Sequence, residues 1–516
     1  MPSAYQEKGE VELRTKIFKK FKGVVNNSAR NALPEEAWFY LENLQPIGDA
    51  NLQTVPNLSP TLFNFGLHQI YWMQYANING TDYMFCFATD GTLWAYIIGT
   101  TTATQIGTGL SGSGSRCAQW KNTQLLVIDT TGYYSWPGSG TITLITGSGV
   151  PTAGTDIAVG FGRVWILNGR LLTGSGPNDY TQPAFVPGAG AFTVNITDPL
   201  IRNYVTRLQF QNGYMYLIAP TAINAISDLY VPTGASPPTP LFTNLNIQPI
   251  IGSDEPGSIF GFNQALVFAN HYGVWELYGT NAGKVSTDVD GTWKYIDFSQ
   301  QLSGGQCVVN NILCYAQLFK RLNDPILGSA TVLGLYQNEK WWFANFGPLT
   351  FIASGIVNVP QQVRAQPTLF GLLNNNLVQL FYDNTSSPES IAMTPLWPME
   401  DQLADKEVIR AGFEVTIAQL AGSFMMTLDS ANVSQQAVAL SAQGGNIVFV
   451  NNVGSPLQFI NNLGFAIFWF TGAYLLYNAS APGVFSKYVG ATVRASAASY
   501  QLSSIAMDYK LGRRWS

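Results

Sequence analysis

At 516 residues, with 46% hydrophobic and 11% charged side chains, the chain is long enough for two or three packed units and has a polar, weakly charged surface. A formal net charge of −5 excludes a broadly basic protein that neutralises nucleic-acid phosphates over its whole surface, leaving room only for local basic patches. Four scattered cysteines, Cys86, Cys117, Cys307 and Cys314, exclude a dense disulfide framework and read as reduced core thiols.

Aromatic residues at 13%, with many Val, Ile and Thr, suit half-buried pleated strands, and long helix-forming stretches are missing. The opening run, Met1-Pro2-Ser3-Ala4-Tyr5-Gln6-Glu7-Lys8, lacks the basic-then-apolar layout of a secretory signal, so folding in a cytoplasm is expected. A first basic cluster follows, Lys16, Lys19, Lys20 and Lys22.

From about Leu62 to Phe381 a unit recurs: an apolar or aromatic residue, a short Asn/Gly/Gln turn, then three to five apolar residues. Trp120-Lys121-Asn122-Thr123-Gln124-Leu125-Leu126-Val127 shows it, as does Phe210-Gln211-Asn212-Gly213-Tyr214-Met215-Tyr216. The lead residues Trp120, Phe161, Phe210, Phe262 and Val309 are spaced by 41, 49, 52 and 47 positions, and Tyr75 extends the series back by 45. Repeats of this length, each holding several short strands and tight turns, are the pattern of propeller blades that bury their faces against neighbours.

Asp90-Gly91, Asn168-Gly169, Asn212-Gly213 and Asp290-Gly291 supply hairpin turns, since these pairs tolerate the positive φ that primed turns demand. Later copies, around Trp341-Trp342-Phe343 and Leu377 to Phe381, keep the pattern with poorer spacing, so six or seven blades are expected.

Around Pro395-Leu396-Trp397-Pro398 the texture changes to a charged stretch, Glu400 to Arg410, then to strand-like alternation from Val408 to Ile417. Between Asp429 and Lys487 no charged residue occurs while strand-like runs continue, which predicts a β-sandwich partly covered by another subunit. The apolar run Leu463 to Tyr477 is shorter than the roughly 20 residues of a spanning helix and carries Gly464 and Gly472, so two buried strands and a turn are expected. A second basic cluster, Lys510, Arg513 and Arg514, ends the chain as given.

Catalytic patterns are sought without success. His68 and His271 lie near no cysteine or second histidine, and zinc spacings, GxSxG elbows and phosphate-binding loops are absent. Ser286 to Trp293 approaches the Asp-box hairpin of sialidase-like propellers, but Gly291 sits one place late and no arginine cluster accompanies it. Glu35-Glu36 and Glu400-Asp401 sit beside prolines and read as loop or helix-start residues, not as an acid/base pair. The chain is therefore expected to be non-enzymatic, with no cofactor and no bound metal.

Phe18-Lys19-Lys20-Phe21-Lys22-Gly23-Val24-Val25-Asn26-Asn27, through Leu33-Pro34-Glu35-Glu36-Ala37 to Leu41-Glu42-Asn43-Leu44, resembles the start of nozzle, hub or packaged-DNA stabilisation proteins of short-tailed bacteriophages. Gly162 to Gly169, followed by Ser175-Gly176-Pro177-Asn178-Asp179-Tyr180, is similar to a hairpin and loop of the same family. The resemblance implies a propeller combined with a smaller β platform. It also implies a homo-oligomeric ring, a hexamer in that family, below the portal-adaptor complex, with the genome retained in and released through its lumen.

The sequence reading is thus an all-β chain, a β-propeller of six or seven irregular blades with an additional β-sandwich or platform domain. Residues 1–61 supply N-terminal strands to the platform, 62–394 the propeller and 395–516 the C-terminal sandwich. The expected function is that of a virion tail ring, assembled in the host cytoplasm, which retains and then conducts the genome. Its expected partners are the tail adaptor, tail fibre or tailspike proteins, and double-stranded DNA passing without sequence specificity. Lys16, Lys19, Lys20, Lys22, Lys510, Arg513 and Arg514 are the candidate partner or DNA contacts. A carbohydrate-binding or carbohydrate-cleaving propeller is the alternative, and another virion β protein, such as a receptor-binding component, is a third reading.

Overall fold

The computed structural model describes residues 12–49, 51–232, 234, 236, 238–357, 365–383, 385–417, 422–430, 436–438, 441–443, 446–447, 459–460, 466–467, 469–470, 473–478, 484–497 and 499–514. The chain is all-β and divides into two units. One comprises residues 58–339 and 346–382; the other comprises 1–57, 340–345 and 383–516.

The first unit is a β-propeller. Among the described residues, seven antiparallel blades follow one another in chain order, six of them as separate four-stranded sheets. Their first strands are Ile70–Ile78, Arg116–Trp120, Asp156–Gly160, Arg207–Gln211, Phe260–Phe262, Ser303–Val309 and Leu349–Val357. Each first strand is joined to the next strand of its blade by antiparallel pairing.

Six of these hairpins turn on two residues at positive φ: Asn79-Gly80, Lys121-Asn122, Phe161-Gly162, Asn212-Gly213, Asn263-Gln264 and Asn310-Asn311. That conformation matches the right-handed twist of the flanking strands, and Asn and Gly reach it at least cost. The period seen in the sequence is the recurrence of this turn.

Aromatic residues fill the gaps between blades. The rings of Tyr83 and Phe85 meet Trp136 edge-on at 5.2 and 5.6 Å, joining blades one and two. Phe161 meets Phe210 at 5.1 Å between blades three and four. The seventh blade takes its outermost strand from the start of the unit: Phe63–Asn64 pairs with Asn376–Gln379, Leu377 opposite Phe63. Trp72 packs on Phe351 at 5.3 Å, and the Tyr75 hydroxyl donates to the Ile356 carbonyl at 3.0 Å, so the last blade meets the first and the ring closes.

Two expectations are corrected. Asp290-Gly291 does not turn a hairpin: Thr287–Val289 is a 3-10 turn running into a short helix, Asp290–Trp293, with Trp293 buried and its indole N–H donating to the Asn270 carbonyl. The Asp-box likeness therefore has no hairpin beneath it. Trp341-Trp342-Phe343 does not open a blade of its own either. Lys340–Ala344 belongs to the other unit, where Phe343 pairs in parallel with Glu42.

That other unit is built on two large sheets. One holds Arg14–Phe18, Leu44–Ile47, Asn51–Thr54, Ala404–Ile417 and Tyr500–Arg514. The second holds Tyr40–Glu42, Lys340–Ala344, Ser390–Met393, Gly422–Ser430 and Val489–Ala497. Their inner faces meet as a sandwich: Phe424 of the second lies 6.0 Å from Phe413 and 5.3 Å from Tyr500 of the first, and Ser390 Oγ is 2.5 Å from the Tyr500 hydroxyl.

The unit boundary falls at Asp383 and not at Pro395, because Ser390–Met393 pairs with both Tyr40–Glu42 and Val489–Ala497. Strands occupy parts of the uncharged stretch from Ser430 to Ser486, but its side chains from 431 to 483 lie outside the described residues. The expected interface there lies outside them too. No described helix is long and apolar enough to cross a membrane.

Candidate functional site

The two basic clusters, nearly five hundred positions apart in sequence, lie on paired antiparallel strands, so Lys16 approaches Lys510 while Lys19, Lys20 and Lys22 extend away from it. Arg14–Phe18 pairs antiparallel with Tyr500–Arg514, setting Lys16 opposite Met507 and Arg14 opposite Tyr509, next to Lys510. Acidic side chains interleave with them. Lys16 meets Glu35 at 2.8 Å, while Lys20 and Lys22 reach Glu36 at 3.0 and 2.6 Å.

Hydrogen bonds from Lys22 and Lys20 hold the Glu36 carboxyl below the usual carboxylate range. Arg14 pairs with Glu400 at 2.6 Å. Lys19 is exposed and Lys510 half-buried, whereas the side chains of Arg513 and Arg514 lie outside the described residues. The face is a balanced mosaic, and Glu35, Glu36 and Glu400 act as partners of the basic cluster.

The histidines have local partners. His68 Nδ1 lies 2.5 Å from Asp90, with its ring against Trp94; His271 stacks on Phe298 at 4.1 Å, with Asp254 3.5 Å away. All four cysteines are buried and unbridged, and burial pushes their thiols up. Among the described residues no group of three or more His, Cys, Asp or Glu side chains could hold a metal ion.

A site that sequence reasoning missed lies on the propeller axis. Five of the seven first strands line a cavity of about 380 Å³, with Trp72, Gln74, Arg207, Gln209, Gln211 and Gln306 among its residues. A recess of about 190 Å³, lined by Gln74, Gln119, Asp156, Arg207 and Gln209, adjoins it through the shared side chains. Gly261 and Gly355 keep the walls close, since a Cβ would lie 2.8 Å from Gln211 Oε1 and 2.4 Å from the Tyr75 ring respectively.

Two guanidiniums flank one indole: the Arg116 Cζ stands 3.7 Å and the Arg207 Cζ 5.4 Å from the Trp72 ring centroid. Arg116 Nη1 donates to the Ser115 carbonyl at 2.8 Å, and Arg207 Nη1 donates to the Pro256 carbonyl. Asp156 is buried and accepts the Leu208 N–H at 2.6 Å. Burial pushes the Asp156 carboxyl up, opposed by Arg207, the Leu208 N–H and Arg116. Burial pushes both guanidiniums down.

A signal for this site exists in the repeats. Gln74, Gln119 and Gln209 each precede the lead residue of a repeat, and Arg116 and Arg207 open their strands. The arrangement offers hydrogen-bond donors and positive charge, with no nucleophile held by a base.

No family model and no curated protein matches the chain. Solved structures similar to it include the WD40 repeats of RRP9, at 9% identity over 64% of this chain and 99% of that one, TM-score 0.36. YCF48 bound to D1 peptide is similar at 12% identity over 64% and 100%, TM-score 0.35. The computationally designed Ika8 protein is similar at 13% over 63% and 100%, TM-score 0.35.

Proposed function

We propose that this chain is a structural protein of a short-tailed bacteriophage tail, the nozzle or hub ring below the portal-adaptor complex, which retains the genome and then conducts it during ejection. The observation that carries the reading is chain layout: the propeller is an insertion in a β-sandwich built from both ends of the chain, the combination that the sequence resemblance implies.

The residues of that resemblance support it by their roles in the sandwich. Phe18 stacks on Trp397 at 3.5 Å, and Gly23, at φ +93°, leaves room for the Trp341 carbonyl, which would lie 3.1 Å from a Cβ there. Asn43, at φ +58°, donates to the Glu389 carbonyl at 2.6 Å and accepts the Asn345 N–H at 2.9 Å. In the second stretch, Arg163 is buried and donates to the carbonyls of Ser175 and Gly190 at 2.5 and 2.7 Å.

On this reading the protein acts by shape and not by catalysis. Its mildly acidic character keeps phosphates from adhering, so DNA slides without sequence preference. Six copies close the ring, docked to the tail adaptor and to fibre or tailspike proteins, with the lysine face at Lys16 to Lys22 and Lys510 among the contacts. Peptide mass spectrometry of purified virions, with antibody labelling under the electron microscope, tests the reading. A ring at the tail supports it. A chain absent from virions, or located in the head, overturns it.

A further inference from the structure

The propeller cavity holds a charge that its walls do not neutralise. Arg207 is half-buried, and among the described residues neither it nor Arg116 has a carboxylate within ion-pair distance, for Asp156 forms no such contact. Arg207 Nη1 is committed to the Pro256 carbonyl, leaving Nε and Nη2 without a described protein acceptor. A guanidinium removed from bulk water with half of its donor fork unmatched favours an anion, and its planar geometry suits a carboxylate or phosphate.

The surroundings narrow the choice. Of the two arginines only Arg207 lines the cavity, for Arg116 lies against Trp72 with its Nη1 on the Ser115 carbonyl. The site is therefore matched to a single negative charge and disfavours a dianion. Around Arg207 stand carboxamides, which both donate and accept. The side chains of Gln211 and Gln306 make no described hydrogen bond, and Gln209 makes only a 3.4 Å contact to the Phe210 carbonyl. Groups of that kind pair with hydroxyls, which also do both. A volume of about 380 Å³ falls within the range of small-ligand sites.

We infer that the axial cavity of the propeller binds a polyhydroxylated monocarboxylate, the chemistry of a uronic acid, with Arg207 on the carboxylate and Gln209, Gln211 and Gln306 on the hydroxyls. This inference concerns the propeller alone and stands apart from the tail reading.

Titration calorimetry of the full chain with glucuronate tests it, with glucose, acetate and glucose 6-phosphate as the comparison ligands. Glucuronate is expected to bind roughly tenfold or more tightly than glucose or acetate, each of which lacks one half of the recognition. Glucose 6-phosphate is expected to bind more weakly than glucuronate. Arg207→Gln is expected to remove the preference for glucuronate over glucose, and Gln306→Leu, which keeps the volume and the charge, to weaken glucuronate severalfold while leaving acetate unchanged. If Arg207→Gln fails to fold, Gln306→Leu and the ligand series decide. Failure of glucuronate to bind, equal binding of glucose, tighter binding of the phosphate, or a Gln306→Leu protein that binds as the parent does would each overturn the inference.

Discussion

Phe63 lies opposite Leu377 in an antiparallel pair, so the outermost strand of the last propeller blade comes from the residues that precede the first. Leu377 is fully buried in the cluster shared by blades seven, one and two, while Phe63 touches Phe65 at 5.0 Å and Trp94 at 6.1 Å. Leu377→Ala should therefore weaken ring closure as well as leave a cavity, at a cost of about 2–5 kcal/mol. Urea denaturation followed by tryptophan fluorescence checks this. A loss smaller than that of an ordinary surface substitution would show that the closing strand is dispensable.

The turns offer the opposite sign. Lys121 and Asn122 both sit at positive φ, at 46° and 55°, and both are exposed. Replacing the pair by Asn-Gly, as at Asn79-Gly80, relieves the strain a Lys side chain suffers there without touching the core. The double variant should gain about 0.5–1 kcal/mol, read as a higher denaturation midpoint with an unchanged slope.

These two sites show how the fold could be read from sequence and where the reading stops. Primed turns write themselves locally, in pairs such as Asn212-Gly213, and each sits before a run of core residues, so the period and the propeller were visible. Lys340–Ala344 was legible on one side only: Asn338-Glu339, both at positive φ, mark the turn before it, whereas its other partner, Glu42, is some three hundred positions away. Asp290-Gly291 misled for a related reason: the pair permits a hairpin, but the burial of Trp293 selects a helical turn. In the cavity, Arg207 has no local signature, since what distinguishes it is the lack of an ion-pair partner across blades, although the glutamines before successive lead residues recur in plain view.

Asp129 ties the second blade to the loop before it. It is fully buried and accepts from Ser115 Oγ, from the N–H and hydroxyl of Ser111, the latter at 2.8 Å, and from the Thr131 N–H at 2.8 Å. Burial raises its pKa, yet the hydrogen bonds from Ser115, Ser111 and Thr131 outweigh it, and the folded value lies below the ordinary 3.8. The stability it contributes is thus present above pH 3.8 and is lost as pH falls through the depressed folded pKa. Asp129→Asn should lower stability at pH 7 by about 1–3 kcal/mol and flatten that part of the acid limb, as measured by urea midpoints between pH 2 and 7.

Lys406 in the sandwich is a buried ammonium that donates to the carbonyls of Asp401, of Ala404 at 2.6 Å and of Lys487 at 2.9 Å. Burial lowers its pKa, with Asp401 and Asp405 opposing. Between the lowered folded value and 10.5 the unfolded chain binds more protons, so stability should rise with pH across that window. Lys406→Met strands three carbonyls and should cost about 3 kcal/mol at pH 7, while abolishing the alkaline rise. An alkaline rise of the same size in the variant would assign the effect to another group.

Lys19 separates a partner contact from a structural role on the lysine face. Lys16, Lys20 and Lys22 are each tied to Glu35 or Glu36, so replacing them disturbs local ion pairs as well as any contact with a partner. Lys19 is exposed and, among the described residues, has no carboxylate within ion-pair distance, so its charge is available to something outside the chain. Lys19→Ala should leave the thermal midpoint unchanged, as surface substitutions without partners do. If the face meets an acidic partner or DNA, the same change should reduce incorporation into particles in a complementation assay and lower the salt dependence of duplex-DNA retention by about one charge. Lys22→Ala should shift both the midpoint and the incorporation. Wild-type incorporation and an unchanged salt slope for Lys19→Ala would remove Lys19 from the contact and leave the lysine face as a structural mosaic.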